Sequence, residues 1–259
     1  MTIRALIPIN DIEMYFEMRG DGDPLVLLHG GGGIGANWGL IFGEPPSGYR
    51  LIIPDLRGHG RSTNPAGQFT LRQCALDVLA LLDHLEVRQF KAIGLSLGAK
   101  TLLHIATQEP KRVDAMVLVS AAPYFPEQAR ALMRKVRAEA QTEAEWKSMR
   151  AWHQSDEQIK ALWQMARGFA DSYDDLTFTP PYLGTISART LIIHGDRDEL
   201  YPVRLAVELY ESIPRAHLWV VPNAGHGPIF GARAEQFLST ALRFLGNSDE
   251  MDCPPSRPN

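Results

Sequence analysis

Apolar residues follow two kinds of strand pattern along this chain of 259 residues. Near the start, Ile12, Met14 and Phe16 alternate with polar positions, which predicts a strand over 12–18 with one buried face. The turn residues Asn10-Asp11 before it predict a hairpin with a first strand over 3–9. Later runs are continuously apolar and predict strands that are covered on both faces. These runs are 25–28, 51–53, 92–93, 116–119, 191–193 and 218–221.

Apolar residues at helical spacing lie between several of these strands. Leu71, Ala75, Val78 and Leu82 would form one buried stripe on a helix, and a second helix around Leu102 and Ala106 is stopped by a proline. Strands that alternate with helices are typical of a sheet covered by helices on both faces. The pattern therefore predicts an α/β protein with a mostly parallel, eight-stranded sheet.

The alternation of strands and helices breaks over residues 124–183, which contain no convincing strand and predict a helical insertion. Trp146, Trp152 and Trp163 lie there, either to pack the insertion onto the core or to line a ligand pocket at the junction. The core then consists of residues 1–123 and 184–246. The polar, proline-rich residues 247–259 predict a disordered tail.

Composition narrows the class of protein. A net charge of -4 does not favour nucleic acid or an anionic membrane surface as partner. Cys74 and Cys253 predict neither a disulfide framework nor a cysteine-ligated metal, and no H-E-x-x-H spacing is present. The chain starts without a signal-peptide pattern and has no run of roughly 18 apolar residues. We expect a cytoplasmic protein without metal or cofactor, and its oligomeric state is not specified by the sequence.

The pentapeptide Gly94-Leu95-Ser96-Leu97-Gly98 stands between a predicted strand and a predicted helix. A serine on such a tight turn exposes its hydroxyl above the sheet edge, and glycines two residues before and after it avoid a clash. The helix that follows directs free N–H groups toward charge that develops there. Ser96 is therefore the candidate nucleophile.

A base and an acid follow Ser96 at later strand ends. Of the eight histidines, His226 stands in a glycine- and proline-flanked loop after the last predicted strand. Asp196 and Asp198 follow the strand before it, and either could orient the histidine or pair with Arg197. The order serine, aspartate, histidine is the order that this architecture requires.

Four glycines, residues 30–33, follow His29 at the end of a predicted strand. Their unshielded amides predict an oxyanion hole, in which Leu97 supplies one N–H and Gly31 or Gly32 the other. A rival interpretation is a dinucleotide fingerprint G-x-G-x-x-G, with Asp55 as the ribose-binding acid, which would predict NAD(P) binding. It is disfavoured because a hairpin precedes the strand and because the serine, aspartate and histidine motifs would be left unexplained.

Together these motifs resemble the α/β-hydrolase superfamily, and in particular serine hydrolases with a helical cap. The resemblance covers nearly the whole chain and includes His29-Gly30, Asp55-x-Arg57-Gly58-x-Gly60-x-Ser62, Gly195-x-x-Asp198 and Gly225-His226. It implies an α/β-hydrolase sheet with residues 124–183 as the cap. It also implies that Asp198, at the end of G-x-x-D, is the acid rather than Asp196. The segment that contains Arg57 is a structural turn in such proteins.

The resemblance predicts a carboxylesterase-like enzyme that acts on a small-molecule ester through Ser96, His226 and Asp198. Carbon–carbon bond hydrolases are similar, but they usually have a proline in the glycine loop and an asparagine where Leu95 stands. Cofactor-free haloperoxidases or perhydrolases and a non-catalytic ligand-binding member remain alternatives. Trp38, near the glycine loop, is a candidate substrate contact.

Overall fold

The computed structural model describes residues 2–246. One eight-stranded sheet has the order β1-β2-β4-β3-β5-β6-β7-β8. Only β1 with β2 and β2 with β4 pair antiparallel, and every other neighbouring pair is parallel. The strands are β1 Thr2–Ile9, β2 Ile12–Gly20, β3 Asp23–Leu28, β4 Tyr49–Pro54, β5 Phe90–Leu95, β6 Val113–Val119, β7 Arg189–Gly195 and β8 Ala216–Val221.

Helices cover both faces of this sheet, which confirms the predicted fold class. Successive strand residues point to opposite faces, so Val26 and Leu28 join one apolar core while Leu25 and Leu27 join the other. The first core is closed by α1 (Leu71–His84), α2 (Leu97–Gln108) and α7 (Val203–Ser212). The second is closed by α8 (Ala234–Gly246) and by a short 3-10 helix, Gly35–Leu40. Continuous apolar runs in the central strands follow from this double burial.

The chain between β6 and β7 contains no strand of the sheet. It forms α3 (Glu127–Met133), α4 (Glu143–Arg150), α5 (Asp156–Gly168) and α6 (Pro180–Leu183), together with an isolated β-bridge between Tyr124 and Thr177. The tail predicted over residues 247–259 lies outside the described residues. Among residues 2–246, no helix has the length and apolarity needed to cross a membrane.

A buried ion pair ties the turn after β4 to helix α1. The side chain of Arg57 is 2% exposed, and its Nε and Nη2 atoms lie 2.7 and 2.9 Å from the two carboxylate oxygens of Asp77, which is fully buried. Asp11, in the hairpin turn, also accepts from Arg57 Nη2 at 2.6 Å. The guanidinium fork matches both carboxylates, and so the arginine of the D-x-R-G segment fixes this turn against two other elements.

Replacing Asp77 by alanine is expected to lower the free energy of unfolding by about 3–5 kcal/mol, because the Arg57 charge would stay buried beside one partner. Urea denaturation followed by circular dichroism measures the loss. The matched control is Asp83→Ala, which removes the partner of Arg112 in a pair whose carboxylate is 66% exposed. That control should cost less than about 1 kcal/mol. If both variants lost the same free energy of unfolding, burial of the ion pair would not be what makes the Asp77 contact important.

Candidate active site

Ser96 occupies a strained turn between β5 and α2. Its backbone has φ 50° and ψ -100°, outside the regions that residues with a side chain ordinarily adopt. The residue stands at the N-terminus of α2, where the first N–H groups have no partner within the helix. The turn thus holds a hydroxyl and free amides together at the carboxyl end of a central strand.

Close packing around this turn explains the glycines on either side of it. A Cβ atom on Gly94 would lie 2.6 Å from the carbonyl carbon of Gly98. A Cβ atom on Gly98 would lie 2.3 Å from the carbonyl oxygen of Leu28 on β3. Both distances are shorter than any real Cβ contact, so the turn is closed to every residue except glycine at these two places.

His226 lies between Ser96 and Asp198. Its Nε2 is 2.8 Å from Ser96 Oγ, and its Nδ1 is 2.8 Å from Asp198 Oδ2. Since the carboxylate only accepts hydrogen bonds, Nδ1 carries the proton and Nε2 is left to accept from the serine hydroxyl. The three predicted residues therefore form one hydrogen-bonded chain that ends at the serine oxygen.

Asp198 is held as an anion although its side chain is fully buried. Burial opposes its ionisation, but hydrogen bonds from His226 and from the backbone N–H groups of Tyr201 and Leu200 outweigh burial and lower the pKa of Asp198. The two amides bind Oδ1 at 3.0 and 2.9 Å, and Oδ2 is left to His226. Every hydrogen bond to this carboxylate thus favours its charged form.

Asp196 lies apart from the histidine. Its carboxylate accepts a hydrogen bond from the Ala224 backbone N–H at 3.2 Å and lies 3.8 Å from Arg197 Nε. Of the two aspartates that the sequence offered, the one at the end of G-x-x-D contacts His226. Asp196 instead tethers the loop that carries the histidine.

Ser120 makes a structural hydrogen bond that the sequence pattern did not predict. It follows β6, is fully buried with φ 52°, and its Oγ accepts from the Gly227 backbone N–H at 3.0 Å. The bond fixes the loop around His226 to the end of β6. A serine after an apolar run gives no recognisable signal in the sequence, because its partner is more than one hundred residues away.

The glycine loop packs against the start of α2. The Gly98 N–H donates to the carbonyl oxygen of His29 at 3.1 Å, and a Cβ on Gly31 would lie 3.5 Å from Leu97 Cδ1. Gly31, Gly32, Leu97 and Ser96 all line the same cavity. The residues predicted to form an oxyanion hole are therefore brought together next to the serine.

Asp55 has a different role from the one that the dinucleotide interpretation would give it. Its residue is 3% exposed, and its two oxygens accept from the N–H groups of Gly35 at 2.7 Å and Arg61 at 2.9 Å. The glycine loop continues into a short 3-10 helix rather than the long α-helix that would hold a pyrophosphate. Both oxygens of the carboxylate are thus used to hold two loops of the chain.

A cavity of about 640 Å³ opens above Ser96 and His226. Residues of the segment 124–183, among them Trp152, Trp163 and Met133, form much of its wall. Trp146 packs edge-on against Trp163, with ring centroids 4.5 Å apart. Trp38 is 2% exposed, lines the cavity and packs edge-on against Phe42. Two of the three tryptophans of the helical segment therefore line the pocket.

Three histidines beneath the glycine loop form a buried cluster that the sequence did not reveal. His29 Nε2 accepts from the Leu56 N–H at 2.9 Å, so its proton is on Nδ1, 2.8 Å from the Gly30 carbonyl oxygen. His153 Nδ1 accepts from the Gly60 N–H at 3.0 Å, and its Nε2 lies 3.0 Å from the Gly32 carbonyl oxygen. His59 lies between these two rings, with centroids 5.0 and 6.2 Å away.

These contacts tie the helical segment to the glycine loop through neutral imidazoles. Burial lowers the pKa of His29 to about 4 and also lowers the pKa values of His59 and His153. A further proton on His29 or His153 would replace the lone pair that accepts a backbone N–H. Over residues 2–246, no group of three or more histidine, cysteine, aspartate or glutamate side chains is arranged to hold a metal ion.

Comparison with known proteins agrees with this fold. The sequence pattern of the α/β-hydrolase fold matches residues 23–158, and the chain belongs to the α/β-hydrolase family. It is 30% identical over 260 residues to 2-hydroxymuconate semialdehyde hydrolase of Pseudomonas sp. strain CF600, covering 89% of each protein. It is 28% identical over 255 residues to the pimeloyl-[acyl-carrier protein] methyl ester esterase of Nitrosomonas europaea, covering 87% of this chain and 97% of the esterase.

Solved structures show the same architecture. A meta-cleavage product hydrolase from Pseudomonas fluorescens IP01 superposes with a TM-score of 0.79 at 23% identity, over 93% of this chain and 97% of the hydrolase. A thermophilic esterase from Thermogutta terrifontis superposes with a TM-score of 0.75 at 25% identity, over 94% and 98% of the two chains. The fold is thus shared with hydrolases of more than one kind.

The histidine cluster predicts a loss of stability in mild acid. Because folding lowers the pKa of His29 from 6.5 to about 4, the unfolded chain binds the proton first as the pH falls below 6.5. Each pH unit between these values costs roughly 1.4 kcal/mol for that group, so His29 alone removes about 2 kcal/mol between pH 7.5 and pH 5. Urea denaturation at the two pH values measures the change.

The matched variant for this measurement is His29→Gln, whose side-chain oxygen can still accept from the Leu56 N–H but does not titrate. Its free energy of unfolding should fall less between pH 7.5 and pH 5 than that of the parent protein. Identical pH dependence in the two proteins would show that His29 does not titrate with the expected shift.

Proposed function

We propose that the protein is a serine hydrolase that cleaves a small-molecule carboxylic ester through an acyl-enzyme. The observation that carries the proposal is the hydrogen-bonded chain from Asp198 through His226 to Ser96 at the base of the cavity. A nucleophile, a base and a group that orients the base are the parts that acyl transfer requires.

Ser96 attacks the ester carbonyl while His226 Nε2 takes the hydroxyl proton. Asp198 keeps the other ring nitrogen protonated and stabilises the imidazolium that forms, without itself taking the proton. The same imidazolium then protonates the departing alcohol, which leaves the acyl group on Ser96 Oγ. His226 then deprotonates a water molecule, which attacks this ester. The acid is released, and Ser96 Oγ takes the proton back from His226.

Backbone amides stabilise the oxyanion that forms at the carbonyl oxygen. The N–H of Leu97, the first residue of α2, has no partner within its helix and supplies one donor. Gly31 or Gly32 supplies the second from the adjacent loop. Such donors act strongly because they are already in place when the negative charge develops.

The segment 124–183 acts as a cap that selects the substrate. It contributes Met133, Trp152 and Trp163 to a cavity wall that is mostly apolar, and Trp38 contributes from the core. An apolar wall around a few polar groups is typical of small-molecule sites. His153 connects this cap to the Gly32 carbonyl oxygen, so that cap position and the geometry of the glycine loop are linked.

Cleavage of a carbon–carbon bond is the second candidate reaction. It is favoured by the similarity to the 2-hydroxymuconate semialdehyde hydrolase of Pseudomonas, whereas ester hydrolysis is favoured by the similarity to the methyl ester esterase of Nitrosomonas. The same serine, histidine and amides would serve in either reaction. A test of substrates must therefore include both classes.

Ser96→Ala is expected to lower the hydrolysis of p-nitrophenyl esters by about a thousandfold or more, since no nucleophile remains. Esters of graded acyl length are compared by release of nitrophenolate, and circular dichroism checks that the variant is folded. Substantial residual turnover in the folded variant would refute Ser96 as nucleophile. A higher kcat/KM for 2-hydroxymuconate semialdehyde than for every ester would replace the ester assignment by carbon–carbon cleavage.

Asp198→Asn is expected to reduce kcat by about a thousandfold or more, because an amide can no longer hold His226 in the required tautomer. Asp196→Asn is its matched control. The new side-chain oxygen can still accept from the Ala224 N–H, so kcat should change less than about tenfold. A larger loss in Asp196→Asn than in Asp198→Asn would show that the acid has been assigned to the wrong residue.

A further inference from the structure

Lys100 is a buried cation that the proposed mechanism does not use. It stands one helical turn after Ser96 on α2, is only 3% exposed and lines the cavity above the serine. Ser96 lines the same cavity, so Lys100 and the nucleophile belong to one site. Among the residues that line this cavity within 2–246, Lys100 is the single lysine or arginine.

The amine has few partners in the protein. Its Nζ lies 2.6 Å from Tyr201 Oη, which is its one hydrogen-bond partner among the described residues. The ring centroids of Tyr201 and Phe125 are 4.6 and 5.1 Å away. An ammonium group has three hydrogens to donate, so two have no acceptor within residues 2–246. Aromatic faces stabilise such a cation but do not replace a counter-ion.

The carboxylate whose charge attracts Lys100 is that of Asp198, and it already accepts hydrogen bonds from other groups. Asp198 Oδ1 accepts from two backbone amides and Oδ2 accepts from His226. Lys100 forms no ion pair with Asp198 or with any other described residue. Burial lowers the pKa of Lys100 to about 7, against the opposing attraction of Asp198. Burying the ammonium group of Lys100 away from water therefore costs free energy, and a bound anion would offset that cost.

We propose that Lys100 binds a carboxylate of the substrate, so that the ester cleaved by this enzyme also carries a free carboxylate a few bonds from the scissile carbonyl. This role of Lys100 specifies the class of ester in the proposed function, and it depends on that function for the ester group itself. The carboxylate accepts the free hydrogens of Lys100 Nζ, while the rest of the substrate contacts the apolar wall. Tyr201 Oη fixes the amine at the side of the cavity.

The first test compares charged and neutral esters of equal chain length. Monomethyl esters of the straight dicarboxylic acids from succinic to pimelic are paired with methyl esters of the corresponding monocarboxylic acids. A second series, acetate esters of ω-hydroxy acids paired with acetate esters of simple alcohols, places the carboxylate on the alcohol side. Acid release in a pH-stat gives kcat/KM for each member.

In at least one series, the wild-type protein should prefer the charged ester by about tenfold or more, the size expected for a charge-assisted contact in a cavity. Lys100→Met should reduce this ratio by about tenfold or more, mainly through KM. Lys160→Met, which removes an exposed lysine on α5, is the charge-matched control and should leave the ratio unchanged. A ratio near one in both series of the wild type, or the same ratio in Lys100→Met, overturns the proposal.

A binding experiment separates this proposal from the proposed ester chemistry. Isothermal titration calorimetry measures the affinity of glutarate, adipate and pimelate for the variant Ser96→Ala and for the double variant Ser96→Ala/Lys100→Gln. The glutamine side chain of the double variant can still contact Tyr201. The second protein should bind the preferred diacid about tenfold more weakly or worse. Equal affinities refute the role of Lys100 even if esters are hydrolysed. A Lys100-dependent affinity supports it even if no ester is turned over, in which case the ester assignment alone fails.

The pH dependence of this binding gives a readout that a packing role would not produce. The titratable groups around Lys100 are Tyr201, its hydrogen-bond partner, Asp198, whose charge attracts it, and His226, which lines the same cavity. With the pKa of Lys100 near 7, the diacid should bind more tightly to Ser96→Ala at pH 6 than at pH 8. The contribution of Lys100 is the part of this difference that the double variant lacks. No reduction of the difference in the double variant would contradict a charged Lys100. The melting temperature of each variant checks that it is folded.

Discussion

The tight turn at Ser96 is the constraint on which the rest of this structure depends. A residue with φ 50° must follow a central strand, and the backbone of Gly98 must pass within contact of both Gly94 and Leu28. The conformation is strained, so it persists only because β3, β5 and α2 are packed around it. The same backbone conformation places the serine hydroxyl above the sheet edge and directs the N-terminus of α2 toward it.

Loops from other strand ends lie around this turn, and specific polar contacts hold them in place. Ser120 binds the loop of His226, the amides after Asp198 hold its carboxylate, and Asp55 closes the turn that follows β4. The carboxyl ends of parallel strands lie at one edge of a sheet, which brings residues distant in sequence within hydrogen-bond distance. The precision of the site thus comes from loop anchors that do no chemistry themselves.

Two buried histidines at this edge differ from Lys100 in their hydrogen bonds. His29 and His153 have both ring nitrogens in hydrogen bonds to the backbone, and they join the helical segment to the glycine loop as neutral groups. Lys100 has one partner and faces the cavity. The two histidines stabilise the architecture of the site, whereas the spare donors of Lys100 are directed at the proposed ligand carboxylate.

The sequence by itself determined the sheet, its helices, Ser96 and His226, because each of these leaves a local signal. Its pattern left Asp196 and Asp198 as alternatives, and the resemblance to the α/β-hydrolase superfamily selected Asp198. Apolar runs and helical spacing predict elements, and glycines around Ser96, His226 and Asp198 mark turns at strand ends. Only the tertiary structure decided which imidazoles are buried, that Ser120 anchors Gly227, and that Lys100 faces the cavity. These features depend on partners that are remote along the chain, and a lone histidine, serine or lysine has the same local pattern whether it is exposed, buried or bound.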